Sequence, residues 1–424
     1  MKTALRSATA TDEEAVIQVF SQAFNREKGG QKYERDLSVF KANPASHHVL
    51  EYNGKIISAL HISEHRIQIG CCVITKADVG EVSTLPEYQG KGFGTKLMKK
   101  IVNWMRQKGY HLSRLGGYVR FYRRFGWVPF PRGFVEFPIA GLTSRGTYTD
   151  PDEFLNLTNH SGEIRSYDPH ADSLARHRLY DEFNLNRTGA RPQGSYSPPG
   201  ENPNWQPNPW QVVHEKQGEV HAYMFAQTAP ADLTRFETRV TIQDAAISTN
   251  SLDSLGYLLS HILVAAHRYG ASTISARLPL DFCLYPIYRD YSLGFIPTLW
   301  QTTESGNMLQ IIDFSALMKV LIPEFQNRLQ NSVTSVEDGD WQICVNEQEI
   351  YFRLRQGQLT CIDKPEPTDS VRIDLSQELF CNLLLGLQSV CHVVRQLPVS
   401  LPRESIAFLT AIFPPQPTET GAWG

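Results

Sequence analysis

The stretch PEYQGKGFGTKLMKK (Pro86–Lys100) sets glycines at 90, 92 and 94 and then turns at once into a helical pattern. Glycine loses more freedom on folding than any other residue, so a cluster before a helix points to a backbone that must bend and lie open. The helix start gathers unbonded N–H groups and partial positive charge, which suits a phosphate or pyrophosphate. Two familiar phosphate patterns do not fit. The dinucleotide pattern needs a further glycine where Thr95 stands, and the P-loop pattern needs Gly-Lys-Ser/Thr after a longer spacer. Two further groups could handle protons nearby in the chain: Glu81, on the strand before the loop, and Tyr122, within FYRRFGW (Phe121–Trp127). By residue type alone, Glu81 reads as a solvated carboxylate and Tyr122 as a ring packed between Phe121 and Phe125.

These residues need elements to position them. A short strand, TALRSAT, leads to a capped helix, EEAVIQVFSQAF, and a second helix, YERDLSVFKAN, ends before Pro44. Strand-like runs HHVLEYNG, KIISALHISEHRIQIG and CCVITKADVGEVST follow, the first two meeting at Asn53–Gly54, a strong hairpin signal. After the loop, Phe93, Leu97, Ile101 and Met105 recur every four residues and predict a helix with one buried stripe, closed by Gly109. A strand near HLSRLG and a short helix, VRFYRRFG, complete this part. Beyond a Pro/Gly/Asn-rich stretch at 187–210 the order of elements repeats, and YPIYRDYSLGF (Tyr285–Phe295) echoes RFYRRFGW. A degenerate internal duplication is expected, with AAISTNSLDSLG standing where the first part has its glycine loop. From about Met308 short strands and helices form a third part, ending in a Pro-rich tail.

Bulk properties narrow the function classes. A chain of 424 residues with 41% apolar and 20% charged residues predicts several packed domains. A net charge of -3 without a basic block lacks the footprint of a nucleic-acid binder. No stretch reads as a secretory signal or a membrane span, so a cytoplasmic protein is expected. The seven cysteines form no zinc spacing, and His47, His48, His261 and His267 have no ligand partner at metal spacing, so no metal is expected.

With its flanks, VSTLPEYQGKGFGTKLM resembles the acetyl-coenzyme A signature of the GNAT superfamily of N-acetyltransferases, Gln/Arg-x-x-Gly-x-Gly/Ala, with Gln89, Gly92 and Gly94 at its three positions. FYRRFGW resembles the superfamily's later aromatic segment. The whole layout is similar to the enhanced intracellular survival (Eis-like) acetyltransferases. That likeness implies a mixed α+β chain: a catalytic GNAT domain at 1–150, a degenerate GNAT-like domain at 151–305, and a domain resembling sterol carrier protein at 306–424. It implies acetyl-coenzyme A as cosubstrate, with a backbone clamp on the pantetheine by Val82, Ser83 and Thr84. The pyrophosphate would fall to the loop of Gln89, Gly90, Lys91, Gly92, Phe93, Gly94 and Thr95, with further contacts at Gly117 and Tyr118.

The resemblance also assigns proton transfers. Attack on a thioester needs an ammonium to lose a proton and a thiolate to gain one. The likeness places the general acid at Tyr122 and the base at the chain's terminal carboxylate, here Gly424, although this chain ends one glycine beyond Trp423 where the family ends on an aromatic. Glu81 is the alternative base, as in other GNAT enzymes. The expected reaction is direct transfer of acetyl to a primary amine, on a small molecule or a protein lysine, in a ternary complex. The alternatives are a non-catalytic lipid or ligand carrier and an acetyl-coenzyme A sensor. The resemblance further implies a homo-oligomer, a hexamer by preference; no nucleic-acid or membrane partner is expected.

Overall fold

The computed structural model describes residues 3–139, 161–195, 206–228, 239–249, 251–278, 294–300, 304–363, 370–416 and 418. The first sheet grows from tight hairpins: β1 (Thr3–Ser7), β2 (His47–Tyr52), β3 (Lys55–Ile69) and β4 (Cys72–Thr84) are antiparallel neighbours. β2 turns into β3 at Asn53 and Gly54, both in the left-handed region, which matches the twist of the joined strands. Helices α1 (Glu13–Phe24) and α2 (Gln31–Ala42) pack on one face, and α3 (Phe93–Gln107) crosses the other to reach β5 (Leu112–Tyr118), parallel to β4. Strand alternation divides the faces: Val49 joins the cluster under α1 and α2, while its neighbour Leu50 joins Leu97, Ile101 and Met105 under α3. A short helix, α4 (Val119–Tyr122), then leads to β6 (Val128–Pro129) and β7 (Arg132–Pro138).

The next residues repeat this plan: β8 (Glu163–Ser166), α5 (Pro169–Phe183), β9 (Gln211–Lys216), β10 (Glu219–Thr228), β11 (Arg239–Ile247), α6 (Leu252–Arg268), β12 (Thr273–Ala276), β13 (Ile296–Trp300) and β14 (Ser305–Ile311). The first sheet runs β1-β2-β3-β4-β5-β14-β6 and the second β8-β9-β10-β11-β12-β7-β13. The sixth strand of each sheet therefore comes from the other half. β7 pairs with β12 and buries Val135 and Phe137 under α6, while β14 pairs with β5 and buries Met308, with Ile312 just past its end, under α3. Sheet membership thus crosses the limits expected at 150 and 305, because each inner strand covers its open edge with the partner's chain. The aromatic echo at 285–295 lies, apart from its last two residues, outside the described residues.

The third part carries α7 (Phe314–Val320), α8 (Ile322–Asn331), a sheet ordered β17 (Gln358–Ile362), β16 (Gln348–Arg355), β15 (Gly339–Val345), β18 (Val371–Leu375), and helices α9 (Gln377–Leu384), α10 (Val390–Val394) and α11 (Arg403–Ile412). One hydrophobic cluster runs from Ile67, Ile69 and Ile74 of the first sheet into Trp341, Phe352, Phe380 and Phe408. At the β3–β4 turn the Cys71 amide donates to Glu324, which pairs with Arg328 at 2.6 Å, and Arg328 donates to the Ile412 carbonyl at 2.7 Å. The same turn reaches the second part, where Gln68 exchanges backbone hydrogen bonds with Gly189 and Ala190. By composition the tail should dangle; instead Thr188 donates to Gln416 at 2.8 Å and Thr418 to the Leu385 carbonyl, so the tail is held at these two residues. No helix among the described residues is long and apolar enough to cross a membrane.

Candidate active site

β4 and β5 pair in parallel from Lys76↔Leu112 to Val79↔Leu115 and then part, although both strands continue, to Thr84 and Tyr118. β5 stays bonded on its other side to β14, with Gly117 opposite Gly306. Beyond Val79, β4 has no pairing with β5, and its edge opens on the gap between the two strands. A bulge drives the parting. Against β3 the register jumps from Gly80 opposite His61 to Ser83 opposite Ala59, and Glu81 between them has φ 53°. Val82, Ser83 and Thr84 follow on this edge. Ser83 is held by donating to the Ala59 carbonyl at 3.1 Å, and the Thr84 hydroxyl lies 2.9 Å from that of Ser58.

The glycine loop closes the far end of the gap. Gly92 is the N-cap of α3 at φ 81°, and no side chain caps the helix start. The first turn carries no acidic residue and includes Lys96. The amides of Phe93, Gly94 and Thr95 are therefore offered to an anion. A Cβ at Gly92 would meet nothing within 4 Å, so the glycine is there for the left-handed backbone rather than for room. The Gln89 side-chain amide donates to the Thr84 carbonyl at 2.9 Å and draws the loop back onto β4. Lys91 donates to the Glu87 carbonyl at 2.7 Å. Tyr118 is 74% exposed at the end of β5.

Tyr122 lies under this gap. Its ring stands edge-on to Phe121, with centroids 4.9 Å apart, and edge-on to Trp127. Only 9% of the residue is exposed, and burial pushes its phenol up to about 12. A Cβ at Gly117 would come within 2.6 Å of the Tyr122 ring, so this glycine makes the room in which the tyrosine sits. Glu81 is not a free carboxylate. Arg26 bonds one of its oxygens at 2.6 Å and Arg35 the other at 3.2 Å, and Arg26 also pairs with buried Asp36. Sequence reading missed Arg26, Arg35 and Asp36, because nothing in their spacing ties the α1–α2 segment to β4. Gly424 lies outside the described residues. No group of three or more His, Cys, Asp or Glu residues that could hold a metal occurs among the described residues.

The family comparison agrees with this geometry: residues 4–130 match the Acetyltransferase (GNAT) domain family. Residues 4–130 are thus GNAT-like, and the chain as a whole shares its fold with solved N-acetyltransferase structures. Over its full length it is similar to a probable N-acyltransferase from Enterococcus faecalis V583, a conserved protein of unknown function, with TM-score 0.67, 13% identity, and 99% and 98% of the two chains covered. It is similar to a GCN5-related N-acetyltransferase from Kribbella flavida, with TM-score 0.66, 16% identity, and 98% and 97% covered. Eis1 from Mycobacterium abscessus gives TM-score 0.57 at 14% identity, with 99% of each chain covered. At such identities the likeness is one of fold. No curated protein matches the sequence.

Proposed function

We propose that this GNAT protein transfers acetyl from acetyl-coenzyme A to a primary amine by direct attack in a ternary complex. The observation that carries the reading is the parted β4–β5 pair ending at the uncapped start of α3, a gap with backbone donors along one side and a positive helix end. In the reaction the amine nitrogen bonds to the thioester carbonyl carbon and the carbon–sulfur bond breaks. The departing sulfur needs a donor, and Tyr122 is proposed for it. Burial keeps the phenol protonated at neutral pH, and its pKa lies above the ~8.5 of an ordinary thiol. Tyr122 therefore acts chiefly by hydrogen-bonding the sulfur as negative charge grows there. For the base, the doubly paired Glu81 is poorly placed to accept a proton and instead fixes Arg26 and Arg35 beside the bulge. We assign the ammonium proton to the carboxylate of Gly424, the residue that the family resemblance names for it.

We read 1–150 and 151–305 as tandem GNAT-like folds, with β7 lent to the second sheet and β14, which runs past 305, to the first, and 306–424, β14 apart, as a domain resembling sterol carrier protein. In that third domain Trp341 stacks on Phe408 with centroids 4.0 Å apart, and Phe314, Phe325, Phe352, Phe380 and Phe413 fill the same core. Its own rings thus take the space a lipid carrier would leave open, which favours the enzyme over the carrier. An acetyl-coenzyme A consumption screen over polyamines, aminoglycosides and lysine peptides tests the activity. A sensor would bind the coenzyme and consume none with any acceptor.

A further inference from the structure

The second sheet parts as the first does. β11 and β12 pair in parallel from Arg239↔Thr273 to Ile242↔Ala276, after which β11 runs on to Ile247. A bulge again falls beside the split, between Phe225↔Asp244 and Ala226↔Ile242. Counting from the last parallel pair, Asp244 stands where the first sheet has Glu81, and Arg176 of α5 pairs with it at 2.7 Å as Arg26 pairs with Glu81. One position differs in kind. Gly116, next after Leu115, corresponds to Arg277, next after Ala276, so a guanidinium enters the split where the first sheet has no side chain.

Around this split lies a cavity of about 610 Å³, walled by Arg176, Arg191, Arg277, Trp210, Gln243 and Asp244 among others. That volume is typical of a small-molecule site. Asp244 is satisfied by Arg176 and by the Tyr223 hydroxyl, and the Asp181 carboxylate accepts from the Gly194 amide. The guanidiniums of Arg191 and Arg277 have no side-chain partner among the described residues. Each presents several donors in a fork that fits a carboxylate or a phosphate.

We infer that this cavity binds a small organic anion, carboxylate or phosphate, held between Arg191 and Arg277. It is a ligand site separate from the acetyl transfer at the glycine loop and does not rest on that assignment.

The test is calorimetric titration of the full chain with phenyl phosphate, phthalate and, as neutral control, benzyl alcohol, each in the presence of saturating coenzyme A to block the first split. The expected result is saturable binding of one or both anions and none of the alcohol, weakened at least tenfold in Arg191→Gln with Arg277→Gln. Whichever anion binds more tightly identifies the head group as phosphate or carboxylate. Both positions lie at least partly in solvent, so the double variant should fold, and unchanged coenzyme A affinity verifies this. Arg277→Lys alone, a milder change that keeps the charge, should retain part of the binding. Absence of anion binding in the wild type, or equal binding in the folded double variant, overturns the inference. Neither result bears on acetyl transfer, which the amine screen reads separately.

Discussion

Arg6 and Arg165 occupy matching places in the two seven-stranded sheets and are held in the same way. Arg6 donates to Glu51 at 2.8 Å and forks onto Asp12 at 2.7 and 2.9 Å; Arg165 donates to Glu215 at 2.8 Å and forks onto Asp172 at 2.7 and 2.8 Å. In both, the same carboxylate also takes a backbone N–H, from Thr9 or Asp168 at 2.8 Å. The fork holds the Asp12 carboxyl well below the usual range. The frames are thus alike down to a three-residue network, while the helix starts beside the splits differ. α3 begins at a left-handed glycine with no acid in its first turn. α6 begins after a serine turn, Ser248–Ser251, and carries Asp253 in its first turn, paired with Lys216 at 2.6 Å. A carboxylate there occupies the field that an anion would seek. The two helix starts thus differ in what they offer an anion: open amides at α3, a paired carboxylate at α6.

The two frames depend on each other most at the exchanged strands. A chain of residues 1–150 retains the glycine loop but loses β14, leaving the β5 edge bare and the core under α3 without Met308 and Ile312. It should not fold cooperatively or bind acetyl-coenzyme A; calorimetric binding equal to that of the whole chain would mean that the exchange is dispensable. Next in size is Tyr122→Phe, which keeps the ring packed against Trp127 but removes the donor. Turnover should fall by ~10²–10⁴ with coenzyme binding retained, and near-normal turnover would leave Tyr122 as packing alone.

Gly92→Val sharpens the contrast at the helix starts. The space is open but φ is 81°, so a β-branched residue is strained there and the amides turn away. Coenzyme A affinity should drop roughly tenfold or more, from the ~1–3 kcal/mol of backbone strain, while Ser251→Val in the second sheet should leave it unchanged. Appending residues after Gly424 should depress turnover more than Glu81→Gln does; the reverse order would make Glu81 the base.

The smallest effect is in the pH dependence of stability. His47 and His48 are buried in the first sheet and burial pulls both down to about 4. Unfolded histidines near ~6.5 take protons first as pH falls, so their contribution is present above ~6.5 and is lost as pH falls towards about 4. The melting temperature should be lower at pH 5 than at pH 7.5, with a smaller difference in His48→Phe. An unchanged difference in that variant would place the acid sensitivity elsewhere.

Local chemistry was readable from the chain because it depends on neighbours in sequence. Asn53–Gly54 dictates its hairpin through backbone sterics, and the four-residue spacing of Phe93, Leu97, Ile101 and Met105 dictates a helix with one buried face. The three glycines dictate a bent loop at that helix's start. The repeated order of elements was legible too, since it needs only the succession of strands and helices. The exchange of β7 and β14 was not, because a strand's pattern says that it must pair and bury a face but not against which edge. Nor was the state of Glu81: a glutamate on a strand looks solvated until the fold brings Arg26 and Arg35 across from the α1–α2 segment. Nor was the packing at Gly117, where only the fold sets the Tyr122 ring against the missing Cβ. Turns and helix faces follow from steric rules acting over a few residues, whereas ion pairs, strand partners and the room beside a ring depend on which distant segments meet, and tertiary packing alone decides that.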